Sequence, residues 1–108
     1  MDEQSYLQLA DRAFGRVERA CDAFDTSEVD CERAGDVLTL TFPNGKRCII
    51  NTQRPTKQIW LASGASAWHF DYAGESDGRW LDDKGRGEEF FATVANIVKR
   101  EAGILLSF

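Results

Sequence analysis

Asn51-Thr52-Gln53-Arg54-Pro55-Thr56-Lys57-Gln58-Ile59-Trp60-Leu61 joins two strand-like segments through a break at Pro55. After the break Ile59 and Leu61 alternate with Gln58 and Trp60, the period of a half-buried strand. Burying Ile59 and Leu61 turns Trp60 outward, with Asn51 or Gln53 as its neighbours across the pair. A large indole on a polar sheet face needs a covering element or a partner. The stretch therefore predicts a sheet with one face left open, and the other segments can be arranged around it.

Upstream, residues 37–42 alternate Leu38, Leu40 and Phe42 with Thr39 and Thr41, and Pro43-Asn44-Gly45 signals a hairpin into a return strand over residues 46–52. Earlier still, Glu28-Val29-Asp30-Cys31-Glu32 has the same period of two. With Val29 and Cys31 facing inward, Glu28, Asp30 and Glu32 project together, an arrangement that costs stability unless something screens it. Downstream, a loop over residues 63–66 leads to residues 67–72, which place Trp68, Phe70 and Tyr72 in the core and His69 on the open face beside Trp60. Residues 74–78 read as a loop, 79–82 as a short strand and 83–87 as a break.

Both ends read as helices. Residues 3–24 carry Tyr6, Leu9, Ala10, Ala13, Phe14, Val17, Ala20, Cys21 and Phe24 in steps of three and four. Residues 88–102 repeat the pattern with Phe90, Phe91, Val94, Ile97 and Val98, Gly103 is the expected stop, and residues 104–108 form a tail folded back on the helices. Helices segregated from a meander of about six short strands imply an α+β fold. The expected architecture is a two-layer αβ sandwich, one domain over residues 1–108, with both helices on one face of an antiparallel sheet.

The formal net charge of −5 is not spread evenly. Residues 1–36 hold ten acids against four arginines, a net of −6, and the rest is close to neutral. At 100° per residue, Asp11, Glu18, Asp22 and Asp25 fall within roughly 60° of one another beside the apolar face of the first helix. Arg12, Arg16 and Arg19 fall on the far flank, so acids and bases segregate. Acids near a helix C-terminus also oppose its dipole by a few tenths of a kcal/mol each, roughly. Such a surface suits a cation or a basic protein patch and repels nucleic acid. Three cysteines, Cys21, Cys31 and Cys48, without a Cys-x-x-Cys pair suit buried, reduced thiols and argue against a disulfide framework, a zinc site or cluster ligation by this chain alone. An acidic N-terminus and the lack of a long apolar run point to a cytoplasmic protein with no membrane span.

Taken together, Leu9-Ala10-Asp11, Asp30-Cys31-Glu32, Val37-Leu38-Thr39-Leu40-Thr41-Phe42 with Asn44-Gly45, Asn51-x-Gln53-x-Pro55, Gln58-Ile59-Trp60-Leu61 and Trp68-His69-Phe70-Asp71 resemble the frataxin family in its short bacterial form, the CyaY type. The likeness covers essentially the whole chain. It implies the same αβ sandwich and a role in iron–sulfur cluster assembly. It implies weak binding of iron (Fe2+ or Fe3+) along an acidic ridge, here Glu18, Asp22, Asp25, Glu28, Asp30 and Glu32, with Glu3 and Asp11 as further candidates. It also implies contacts with the cysteine desulfurase and the scaffold protein, for which Glu18, Asp22, Asp30, Asn51, Gln53 and Trp60 are the candidate residues. Arg19 and Ala23 stand where further acids are often found in the family. The expected state is a monomer, with iron-dependent oligomers open to it.

Carboxylates are hard oxygen donors that suit iron and other divalent cations such as Mn2+ or Ca2+ better than copper or zinc. An open stripe without enclosing histidine or cysteine leaves water on the ion, hence weak, exchangeable binding. No Glu-x-x-His motif of a di-iron bundle and no P-loop spacing occurs. A small redox or hydrolytic enzyme using His69 and the acids is the rival expectation, and an adaptor for which iron is incidental is the third. No nucleophile–base pair supports the enzyme, since His69 is the single histidine.

Overall fold

The computed structural model describes residues 1–74 and 78–108. The chain runs α1 (Glu3–Cys21), β1 (Asp30–Ala34), β2 (Val37–Thr41), β3 (Arg47–Gln53), β4 (Gln58–Ser63), β5 (Ser66–Tyr72), β6 (Trp80–Asp82) and α2 (Phe90–Ala102). The six strands form one sheet in sequence order, every neighbouring pair antiparallel. This is the α+β sandwich expected from the strand and helix periodicities. Of the loop expected over residues 74–78, residues 75–77 lie outside the described residues.

Each helix is set by its caps as well as its stripe. Asp2 caps α1 by accepting from the Ser5 amide at 2.7 Å, and Glu89 caps α2 by accepting from Ala92 at 3.1 Å. Gly103 ends α2 at φ 70°, a conformation that glycine adopts without a Cβ clash. Tyr6, Phe14 and Val17 of α1 and Phe90, Val94, Ile97 and Val98 of α2 bury against Leu38, Leu40, Cys48, Ile50, Ile59, Leu61, Phe70 and Trp80 of the sheet. Tyr6 also pins helix to sheet, because its hydroxyl donates to the Gln58 carbonyl and accepts from the Gln53 amide. The tail returns as expected: Ile104 and Leu106 pack on the core, and Phe108 lies 5.0 Å from the Phe91 ring.

Two of the boundaries that differ from the sequence expectation bear on the acids. α1 ends at Cys21, so Asp25 does not continue the helical stripe. Asp25 instead accepts the Ser27 amide at 2.9 Å, while the Glu28 side chain reaches back to the Asp25 amide at 3.2 Å. That reciprocal pattern is a capping box built on Asp25-Thr26-Ser27-Glu28, and it nucleates a separate turn. β1 consequently begins at Asp30, leaving Glu28 outside the strand face assigned to it, although Val29 stays buried.

The three aromatics of β5 face the core side as expected, but only Phe70 is fully buried. Trp68 is half-covered and donates its indole N–H to Glu88, and Tyr72 is half-covered beside Trp80, ring centroids 5.1 Å apart.

Candidate functional site

The acidic rim is assembled from the end of α1, the turn after it and β1. Asp11 and Glu18, two turns apart on α1, are bridged by one guanidinium: Arg33 donates from Nη2 to Asp11 and from Nη1 to Glu18 at 3.1 Å. Arg33 also lies 5.2 Å over the Phe14 ring. The sequence expectation set the arginines of α1 apart from the acids, and they do stay apart; Arg16 stacks 4.0 Å over Phe91. The neutralising cation comes instead from β1, which the packing of α1 on the sheet, rather than helical spacing, brings into reach.

Asp25 and Glu28 are committed to their turn, and the Ser27 amide holds the Asp25 carboxyl below the usual carboxylate range. Among the described residues no ion pair reaches Asp22, Asp30 or Glu32. Asp30 and Glu32 project onto the open face of the sheet, where with Thr39, Thr41 and Arg47 they line a shallow concavity. Among the described residues, no three histidine, cysteine, aspartate or glutamate side chains converge closely enough to hold a metal ion between them. The donor set suits a hard cation, but as single carboxylates with retained water rather than as a closed cage.

The open face continues from this rim. Strand register aligns Val37, Asn51, Trp60 and His69 in one row across β2 to β5, and Thr39, Ile49, Ala62 and Ala67 in the next. Ile49 and Val37 are exposed, at 41% and 37%, so the middle of the face is apolar and uncovered. Asn51 sits directly opposite Trp60, and Gln53 pairs with Gln58 one row on. Trp60 stacks on His69 with centroids 4.2 Å apart and planes 17° from parallel.

A polar network that the sequence reading missed fixes the Trp60 ring. Its indole N–H donates to Gln58 Oε1 at 2.9 Å, and Gln58 Nε2 donates to Asp71 at 3.1 Å and Asp83 at 3.0 Å. Asp83 in turn lies 3.6 Å from His69 Nδ1. The available signal was Gln58 itself, two residues before Trp60 and hence on the same face. Ser63 and Ser66 pair across the β4–β5 hairpin on the opposite face from His69, so neither is placed to pair with it.

Comparison with known proteins agrees with this architecture. A family model described as a frataxin-like domain matches residues 1–104. The iron-sulfur cluster assembly protein CyaY of Burkholderia mallei (strain SAVP1) is 38% identical over 110 residues, covering 100% of this chain and 98% of that protein. CyaY of Delftia acidovorans is also 38% identical over 111 residues, covering 100% and 97%. The solved frataxin from Psychromonas ingrahamii superposes with a TM-score of 0.89 at 31% identity, over 99% of this chain and 97% of that one. A trimeric frataxin from the yeast Saccharomyces cerevisiae, complexed with ferrous iron, gives a TM-score of 0.67 at 27% identity, over 96% and 88%.

Proposed function

Because this chain belongs to the frataxin family, in its bacterial CyaY form, we propose that it serves iron–sulfur cluster assembly as a docking and weak iron-carrying protein rather than as an enzyme. Its acidic rim engages a basic patch on the cysteine desulfurase, and the face around Trp60, Asn51 and Gln53 meets the scaffold protein. The single observation that carries this reading is continuity: Asp30 and Glu32, which no ion pair reaches among the described residues, border an uncovered apolar face with Trp60 at its centre. A protein whose acids were only a solvated margin would have no cause to leave Ile49 and Val37 exposed beside them.

Iron is cargo in this proposal. Asp22, Asp30 and Glu32 are the primary candidates to hold it, with Glu18 secondary because Arg33 competes for it, and Asp25 and Glu28 secondary because their turn engages them. Other divalent cations would compete for the same oxygens. The proposed setting is the cytoplasm. Among the described residues no helix is long and apolar enough to cross a membrane. The proposed state is a monomer, and the trimeric yeast relative supports assembly beyond it.

Replacing Asp22 and Asp30 by lysine is expected to weaken desulfurase binding by about tenfold or more, with the thermal midpoint little changed. Unchanged affinity would refute the rim as the docking site. Fe2+ titration followed by amide signals should broaden residues around Asp22, Asp30 and Glu32 first; broadening elsewhere, or none, would leave an adaptor without iron.

A further inference from the structure

We infer that α1 and the C-terminal tail form a second binding site, a cationic groove at Arg16 and Arg19 that takes a small molecule bearing two or more oxyanion groups, phosphate or carboxylate. The groove is lined by Arg16, Arg19, Ala20, Ser107 and Phe108 and offers a volume of about 380 Å3. It shares no residue with the acidic rim or with the face around Trp60.

The arginines are concentrated where the helix cannot neutralise them. At 100° per residue, Arg12, Arg16 and Arg19 fall within roughly 60° of one another. Arg12 and Arg16 are four residues apart and Arg16 and Arg19 three, the spacings at which like charges on a helix repel. Apart from those arginines, the positions one turn from Arg16 are Ala13 and Ala20, so α1 supplies it no acid. Among the described residues no ion pair reaches Arg12, Arg16 or Arg19. Arg33, by contrast, is matched to two carboxylates on the other flank. A cluster of unmatched guanidiniums is stabilised by an anion from outside the chain.

Packing positions both guanidiniums before any ligand arrives. Arg16 is half-buried, its guanidinium 4.0 Å over the Phe91 ring, and Phe91 in turn lies 5.0 Å from Phe108. A ring engages the charge but offers no oxygen acceptor, which leaves the forked N–H donors for a ligand. Arg19 folds back over Gly15, where a Cβ would lie only 3.2 Å from Arg19 Nη1. Glycine, a poor residue for a helix interior, keeps that path clear.

Guanidinium forks match the paired oxygens of phosphate and carboxylate, and the Ser107 hydroxyl is a further donor at the groove. The volume is room for on the order of ten water-sized groups, so a single phosphate or carboxylate would leave most of it to solvent. A second oxyanion group meets the second arginine, and the frame joining the two groups lies along Ala20 and the exposed Phe108 ring.

The test titrates the full-length, metal-free protein with pyrophosphate and, separately, with citrate at constant ionic strength, following arginine Nε–H and backbone amide NMR signals. We expect saturable one-to-one binding of at least one probe, with the largest shifts at Arg16, Arg19, Ser107 and Phe108. Tighter binding of pyrophosphate assigns the groove to phosphates, tighter binding of citrate to carboxylates, and equal binding to oxyanions of either kind. Arg19→Gln should weaken binding by about tenfold, the loss of one charge-assisted pair. Arg16→Gln combined with Arg19→Gln should abolish it. Lys84→Gln combined with Lys99→Gln makes the same change in net charge at exposed lysines elsewhere and should leave the affinity nearly unchanged. Arg19 is exposed, so Arg19→Gln alone decides the matter if the double arginine variant does not fold. Neither iron nor a partner enters the titration, so its failure leaves the docking proposal standing, and the converse holds as well. No saturation by either probe, binding that survives Arg19→Gln undiminished, or an equal loss in the lysine variant would each overturn the proposal.

Discussion

Arg33 shows how much one side chain decides. It lies in a strand whose other members are read by alternation, yet its guanidinium reaches two carboxylates on α1 and the ring of Phe14 between them. Ion pairs this exposed contribute little, so Arg33→Ala should cost about 1 kcal/mol or less, part of it lost packing against Phe14. The same change frees Asp11 and Glu18. We therefore expect Arg33→Ala to tighten Fe2+ binding at the rim while leaving the fold cooperative, measured by calorimetric titration beside a thermal melt. Weaker binding would mean that Arg33 organises the acids rather than competing for them. Nothing in the sequence marks Arg33 off from Arg12, Arg16 or Arg19, because a long flexible side chain finds its partner through space.

At the scale of elements, the segment between β6 and α2 is held by one carboxylate. Asp82, whose side chain is fully enclosed, accepts from the amides of Lys84 at 2.8 Å, Arg86 at 3.2 Å and Glu88 at 3.3 Å, and from Arg86 Nε at 3.3 Å. Burial acts to raise its pKa, but these donors outweigh it and hold the carboxyl below its ordinary value. A group depressed on folding contributes stability that is fully present above its unfolded pKa, roughly pH 4, and lost as pH falls through the lower folded value. The melting temperature should therefore drop with acidification below about pH 4. Asp82→Asn should melt lower at neutral pH and show a shallower loss in acid; parallel curves for parent and variant would remove Asp82 from this role. The sequence reading took residues 83–87 as a break, which is right about the backbone and silent about what holds it. The turn of Asp25 to Glu28 is a comparable case, because a legible capping box gave way to the stronger helical period before it.

Across the whole molecule, charge and shape divide the surface into two unlike halves. Helices and tail cover one sheet face, and the other combines an acidic edge with an apolar, Trp60-centred middle. Ten of the eighteen acids lie in the first third of the chain, so association with a basic partner should be driven by a concentrated field. Its affinity is expected to fall on the order of tenfold between about 50 and 300 mM salt, mainly through the association rate. A salt-independent rate would transfer the binding energy to the apolar face alone.

What the sequence determined by itself is everything that a repeating backbone period dictates. Strand alternation fixes which side chains share a face, and so places Trp60 and His69 together opposite the core. The 3.6-residue period likewise identifies both helices and the layer they bury. Only the tertiary structure decided that Arg33 spans Asp11 and Glu18, and that Gln58 anchors the Trp60 ring between Asp71 and Asp83. These are meetings between segments far apart along the chain. Each depends on how separate segments are set against one another, a relation that no local period contains.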